Sequence, residues 1–386
     1  MAIKTLAAEA PKKGIRLLGS GDCLHPLWMK ELKEACEKEE GLYTLGEVAF
    51  VLQTEVEDER RVHHVLLFPD MACAEGFAEK VKHKGAPLDS DGRPKLHMSG
   101  EEIAQLAQDT EALIGPSHAF TPWTGIYAHH DSLRSCYGEL ADKVKFAELG
   151  LSADTSYADR ISELHPLAYL TNSDAHSPYP NRLAREFNRL EINALSFEDL
   201  KKALLRSHGC RIALNVGLPP QEGKYNESAC IKCYAHYTLH DAKALGWRCR
   251  CGGVIKKGVK DRVEELATLP PGRHPAHRPR YVHLIPLGEI ISMALGTSSP
   301  NAKQVSEIWG SLVARFGSEI IVLLDAPVDD IAPREIAEAI AAFRAGRVKV
   351  LAGGGGRYGK IYLEDAPAPQ MPKSAKGQMA LFDFER

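Results

Sequence analysis

The 386-residue sequence has no run of 18 apolar residues, so no membrane-spanning helix is expected. Its start, MAIKTLAAEAPKKG, lacks the basic-then-apolar layout of a secretory signal. A disulfide framework is missing too. The nine cysteines are an odd number, four of them lie within residues 230–251, and Cys23, Cys36, Cys73, Cys136 and Cys210 are scattered. That usage fits reduced thiols plus one metal site in a cytoplasmic protein. There is no internal repeat. The four glycines 353–356 are not followed by Gly-Lys-Ser/Thr, which excludes a phosphate loop there. An overall excess of charge is lacking as well: 48 Lys/Arg against 51 Asp/Glu leaves −3, which counts against a nucleic-acid binder.

The distribution of charge points the other way. Residues 201–280 hold 16 Lys/Arg and 6 Asp/Glu, a net of +10, while the remaining 306 residues hold 32 and 45, a net of −13. An acidic body with a basic segment is unlike a neutral protein. The composition, 44% hydrophobic and 26% charged, is that of an ordinary globular chain and excludes disordered and fibrous classes. The length suggests two or three domains.

Through residue 217 short β-rich runs alternate with helical patterns. The runs are Ile15–Leu18, Val48–Gln53, Val62–Phe68, Leu113–Gly115, Val144–Ala147, Ala168–Leu170, Phe187–Ile192 and Arg211–Val216. Helical patterns include Leu27–Lys38, Met71–Lys82 and Ser99–Leu113, the last opened by a Ser99/Glu102 capping box. This alternation predicts an α/β fold with a largely parallel sheet, open or closed into a barrel. Residues 218–266 break the pattern, and 267–281 read as a Pro/Arg/His-rich connector. Helices are expected again over Leu287–Ala294, Ala302–Phe316 and Pro333–Ala345, and 365–378 as a flexible linker.

Polar residues with ligand chemistry gather at the ends of these runs. Gly19-Ser-Gly-Asp22-Cys-Leu-His25 comes after the first run, Thr54-Glu55 after the second, His118 after the fourth, Glu148 after the fifth and Asn172-Ser173-Asp174-Ala-His176 after the sixth; His63 and His64 open the third. In a parallel barrel such ends converge on one face. Asp, Glu and neutral His are oxygen and nitrogen donors for Zn, Mn, Fe or Mg. Several together allow a cluster that activates water and clamps a phosphate. Each residue alone also reads as a turn, cap or core histidine. Asp174-Ala-His176 is the sharpest piece, because side chains two apart on an extended segment point the same way.

The stretches GSGDCLHPLW, LQTEVEDERRVHHVLLFPD, GPSHAFTPW, FAELGLSAD and TNSDAHSP, in this order, resemble the polymerase-and-histidinol-phosphatase (PHP) superfamily and, more narrowly, the endonuclease Q family. The resemblance continues through EGKYNESACIKC and KGVKDRVEELA to about residue 365. It implies a distorted (β/α)7 barrel over 1–217 with two or three divalent ions (Zn, Mn or Mg), an inserted zinc module over 218–266 and a mostly helical region over 267–364. It implies cleavage of DNA on the 5′ side of a deaminated base (hypoxanthine, uracil, xanthine) or an abasic site, and a prokaryotic source. Its metal positions fall on Asp22 or His25, Glu55, His64, His118, Glu148, Asp174 and His176. His64 is preferred over His63 because the pattern places the ligand directly before two apolar strand residues. Asp174, Glu148 and His118 are the expected catalytic residues, with Asp174 orienting the attacking water. The superfamily's His-x-His pair is missing from the sequence: either the sequence starts late, or the barrel lacks its first strand, in which case weak or no cleavage is expected.

Cys230-x2-Cys233 and Cys249-x-Cys251 resemble a zinc ribbon holding one structural zinc, the second knuckle being one residue short; His236 or His240 is an alternative ligand. Lys232, Arg248, Arg250, Lys256 and Lys257 surround it, and DNA phosphate is the simplest partner for them. Phe120, Trp123 and Tyr127 come shortly after His118, and with Asn172 they are candidates for lesion contact, the alternative being packing. At the end of the chain, Gln378, Leu381, Phe382 and Phe384 resemble the peptide that docks repair enzymes on the sliding clamp, PCNA. The competing readings are a PHP-type phosphoesterase for small molecules and a catalytically impaired DNA- or clamp-binding protein.

Overall fold

The computed structural model of the protein describes residues 2–90 and 92–365. The strands are β1 (Leu17–Gly19), β2 (Glu37–Glu39), β3 (Leu42–Leu45), β4 (Val48–Glu57), β5 (His63–Phe68), β6 (Leu113–Pro116), β7 (Phe146–Glu148), β8 (Ala168–Leu170), β9 (Phe187–Glu191), β10 (Arg211–Gly217), β11 (Ala229–Cys230), β12 (Ile255–Lys256), β13 (Arg280–His283), β14 (Val348–Leu351) and β15 (Lys360–Leu363). The fold is mixed α/β, as expected, but the sheet is not largely parallel. Strands β2-β3-β4-β5-β6 pair antiparallel in that order, β1 joins β4 in parallel, β7 pairs β8 in parallel, and β10 pairs β13 in parallel and β9 antiparallel. Connection length explains the correction. Only residues 58–62 separate β4 from β5, and a parallel crossover needs about a dozen residues or more. Nor do the described strands close one hydrogen-bonded barrel.

Their inner faces nevertheless share a core. Val51, Val65, Leu67, Phe146, Leu170 and Ile212, with Leu17 and Leu113 packed against them, form one apolar cluster drawn from seven strands. Strand alternation puts Glu55, His63 and Glu148 on these same faces, beyond the apolar residues. A larger core from Ile3 to Leu183 packs the helices on the other side, and a third joins Phe187, Val216 and Val282 to the C-terminal helices.

Helices Leu287–Ala294, Lys303–Phe316 and Arg334–Arg344 lie where the apolar periodicity places them. Helix Gly100–Asp109 has both bonds of the Ser99/Glu102 capping box. The helix after β1 stops at Ala35, and 37–45 instead form the β2–β3 hairpin. The 267–281 connector is pinned rather than loose. The Arg278 side chain is buried, bonds Asp159 through Nε and Nη2, and stacks 3.4 Å over Tyr169, while His274 bonds the same carboxylate at 2.8 Å. The N-terminal helix is tied to the C-terminal region by the buried Lys13–Glu319 pair at 2.6 Å; Glu319 also accepts from Trp309 Nε1 and Leu287 N.

The glycine run 353–356 forms the turn of the β14–β15 hairpin and presses on the cysteine segment. A Cβ on Gly353 would lie 2.5 Å from the Gly223 oxygen, and one on Gly355 (φ +62) 2.6 Å from the Cys230 oxygen. Residues 366–386, which carry the clamp-like peptide, lie outside the described residues. Among the described residues no helix is long and apolar enough to cross a membrane.

Candidate active site

The antiparallel pairing explains why one strand carries its histidines at its start. The N-terminal end of β5 lies beside the C-terminal ends of β4 and β6, so Glu55, the histidines and His118 meet at one end of the sheet. Register then separates the two histidines. His63 pairs with Glu57, and Glu55 lies two residues away on the same face; His64 pairs with Val56, which is fully buried in the large core. His63 Nδ1 is 3.0 Å from Glu55 Oε1 and 3.1 Å from His118 Nε2, and His118 Nε2 is 3.3 Å from Glu55 Oε2.

His64, the preferred residue, lies outside this cluster, in a second candidate donor group with Asp58 and Cys136. Its ring turns away from this cluster and bonds the Tyr137 hydroxyl at 2.8 Å and Asp58 Oδ2 at 3.3 Å, fully buried. Periodicity does not decide this, since Val62, His64, Leu66 and Phe68 form one apolar series and His63, Val65 and Leu67 another; the pairing register does.

Glu148 at the end of β7 reaches the cluster through Ser117, whose hydroxyl donates to Glu148 Oε2 at 3.1 Å and also bonds Glu55 Oε2. Asp174 Oδ1 lies 3.3 Å from His176 Nε2. Arg185 donates to the backbone oxygens of Ser173 and Asp174 and holds that loop. Arg93 bonds Glu55 at 3.0 Å. His25 caps the next helix, accepting from Leu27 N through Nδ1. Asp22, His118 and Asp174 all have positive φ (28°, 28° and 44°). Such backbone is disfavoured for residues other than glycine, and its recurrence here fits a site held by its surroundings. Ser117, Glu57 and Arg93 give no signal in the sequence because none carries a diagnostic spacing.

Electrostatics reflect the crowding. Burial alone would raise the Glu55 pKa, but His118 and His63 hold the carboxyl well below its usual range. His118 is driven by burial toward neutrality, yet Glu55 beside it raises its pKa to about 9. Burial pushes Glu148 up to about 7, against the attraction of His118. Burial also raises Asp22, with His176 opposing it. Asp174 is lowered: burial opposes ionisation, but the bond to His176 and the charges of His118 and His176 together outweigh it. Three donors within 3.0–3.3 Å of one another could hold a cation, and their oxygen and nitrogen character suits Zn, Mn, Fe or Mg.

The cysteine segment is a second donor group. The Sγ atoms of Cys230, Cys233, Cys249 and Cys251 lie within 4.8 Å of one another, with Cys230–Cys251 and Cys233–Cys249 at 3.5 Å. Sulfurs about 2.3 Å from one zinc would be about 3.8 Å apart in a tetrahedron, so the set fits. The short Cys-x-Cys spacing is no obstacle, because a tight turn at Gly252 (φ +80) and Gly253 comes directly after it. Lys232 N and Cys233 N donate to Cys230 Sγ, and Cys251 N to Cys249 Sγ. Tyr237 Oη, 3.0 Å from Cys249 Sγ, holds that thiol down to about 6. His236 bonds Glu227 instead, and His240 is not in the group.

The aromatic candidates divide. Phe120 and Tyr127 are buried and packed together, with the Tyr127 hydroxyl on Glu163, so the packing alternative describes both. Trp123 is 47% exposed, with Lys256 Nζ 4.5 Å over its ring. Asn172 accepts from Asn188 at 3.2 Å. Lys232, Arg248, Arg250 and Lys257 are exposed, but Lys257 is paired with Glu265.

Residues 286–347 match the family model described as the MJ0043 C-terminal domain. Over 254 residues the chain is 45% identical to the protein MJ0043 of Methanocaldococcus jannaschii, a match that covers 63% of this chain and 31% of that longer protein. Over 94% of this chain and 90% of the other, it superposes with TM-score 0.90 and 47% identity on the lesion-specific endonuclease PfuEndoQ of Pyrococcus furiosus. The chain belongs to the endonuclease Q family. A second endonuclease Q, solved with a 27-mer duplex carrying an abasic lesion at its active site, is 46% identical with TM-score 0.87, over 95% of this chain and 92% of the other.

Proposed function

We propose that the protein is a metal-dependent endonuclease that nicks DNA on the 5′ side of a damaged nucleotide, taking deaminated bases (hypoxanthine, uracil, xanthine) and abasic sites. The observation that carries this reading is the Glu55–His63–His118 cluster at the joined ends of β4, β5 and β6. Its support is a fold shared with lesion-specific endonucleases at 46–47% identity.

Glu55, His63 and His118, with Asp22, His25, Glu148, Asp174 and His176 around them, would hold two or three divalent ions. Bound there, such ions lower the pKa of water and offset phosphate charge. In this reading Asp174, held by His176 and by Arg185 on its backbone, orients the attacking water. Ser117 keeps Glu148 and Glu55 at a fixed separation. The four cysteines form a closed thiolate site for one structural zinc, with no position left for a substrate. The exposed Lys232, Arg248 and Arg250, together with Lys256 on Trp123, provide phosphate contacts. The peptide at Gln378, Leu381, Phe382 and Phe384 is proposed to dock on a sliding clamp.

The test is a labelled duplex with one hypoxanthine or one abasic site, incubated with Mg2+ or Mn2+. A nick 5′ to the lesion that disappears in Asp174→Ala is the expected result. Hydrolysis of small phosphomonoesters with intact DNA would sink the reading and favour a small-molecule phosphoesterase.

A further inference from the structure

Several cations around the cysteine segment are neutralised locally. Lys243 and Lys257 pair with Glu265, Lys260 with Glu227, and Arg262 with Asp131. Lys224 and Lys256 differ: neither forms an ion pair with a described residue, and both lie against aromatic rings. Lys256 Nζ is 4.5 Å over Trp123; Trp123 meets Tyr225 edge to face at 6.1 Å; Lys224 Nζ is 5.8 Å from Tyr225 and 5.6 Å from Tyr358. The result is a continuous row, Lys256–Trp123–Tyr225–Lys224–Tyr358. Arg357, stacked 3.6 Å over Tyr234, extends it. Stretches of chain distant in sequence build this row: the loop after His118, the segments either side of the cysteines and the C-terminal hairpin. Its Trp123 lies five residues beyond His118 of the metal cluster.

A purely structural cluster would bury these rings. Instead Trp123 is 47% and Tyr358 39% exposed. Alternating cations and open ring surface is the arrangement that binds a nucleic-acid strand whose bases are unpaired. The phosphates meet the ammonium groups, and the bases stack on the rings with little regard to sequence. A fully paired duplex hides its base faces and gains only the charge term.

We propose that this row is a rail for an unpaired stretch of DNA flanking the site of cleavage. The proposal rests on the nuclease reading for its biological sense, but its physical test does not. The probe is a fluorescein-labelled 12-mer of oligothymidylate, titrated by anisotropy without divalent metal, beside a blunt undamaged duplex of the same length. Stacking is worth about 1–3 kcal/mol per base. Tyr358→Leu and Tyr225→Leu should therefore each weaken binding of the 12-mer roughly five- to tenfold or more, while leaving the duplex almost unchanged. Tyr358→Phe should restore binding. Lys224→Gln should lower the salt slope of the 12-mer by about 0.7.

Tyr225 is half-buried, so the exposed Tyr358 keeps the test decisive if Tyr225→Leu misfolds. Leucine variants that bind the 12-mer like the parent, or that lose duplex binding to the same extent, would overturn the rail. If the parent binds the 12-mer through these rings but never nicks damaged DNA, the nuclease reading fails and the rail stands. If it nicks damaged DNA while the rings prove irrelevant to the 12-mer, the reverse holds.

Discussion

The two donor groups of this molecule are built in opposite ways. The four cysteines come from 22 consecutive residues, sit on two short turns and use only sulfur. The strand-end cluster gathers oxygen and nitrogen donors from residues 55, 63 and 118, at three different strand ends, with Glu148 and Asp174 from further elements. The first is closed by its own chain and can hold a small module together, since the apolar core there is only Cys230, Ala242, Cys249 and Ile255 with Tyr237 and Trp247 against it. The second depends on strand register across the whole sheet, carries strained backbone at Asp22, His118 and Asp174, and opens to solvent at the exposed His176. The difference is that between a site that makes structure and a site that is made by structure.

Breaking the second site at its centre should have the largest effect. His63→Ala is expected to lower nicking of lesion DNA on the order of 100-fold or more, within the range for removal of a group acting at the reacting centre. Its neighbour sharpens the contrast. His64→Ala leaves Asp58 and the Tyr137 hydroxyl buried with a partner lost, so it should cost about 1–3 kcal/mol in urea unfolding. The folded fraction should still cleave. Equal loss of activity in both variants at full folding would break the assignment of the two faces.

The first site should fail differently. Cys249→Ser is expected to remove one equivalent of zinc per chain by native mass spectrometry. Amide exchange should rise across 229–256 but not in β4 and β5. Exchange spreading equally through the sheet would show that the two regions are not independent.

A pH dependence of the fold should come from Glu186, buried with Oε2 unpartnered among the described residues and raised by burial to about 8. A carboxyl raised on folding favours the fold below its unfolded pKa. That contribution is lost as pH rises through the folded value, so stability should decline between about pH 4.5 and 8. Glu186→Gln should flatten this slope in thermal melts.

How far these regions can be read from sequence depends on the same contrast. The cysteine group and the helices at 287–294, 303–316 and 334–344 are legible because local spacing defines them. Glu55, His118, Glu148 and Asp174 are legible because each comes after an apolar strand. Three features are not. The choice of His63 over His64 depends on which face of β5 turns to β4, a matter of pairing register. The antiparallel order of β3 to β6 depends on a turn too short for a crossover, which the apolar pattern alone conceals. The packing of Phe120 and Tyr127 depends on tertiary neighbours, because an aromatic beside a ligand looks the same in sequence whether it faces the core or the solvent. The glycines at 353–356 stand out in the sequence without a reason, which their contact with Gly223 and Cys230 supplies.

The proposed metal cluster requires β5 to present His63, and not His64, to the ions. Anomalous scattering from crystals grown with Mn2+ reads this out. The expected result is a peak bonded to His63 Nδ1, His118 Nε2 and Glu55 at roughly 2.0–2.3 Å, with none beside His64. A peak held by His64, Asp58 and Cys136, with the His63 face empty, would overturn the assignment.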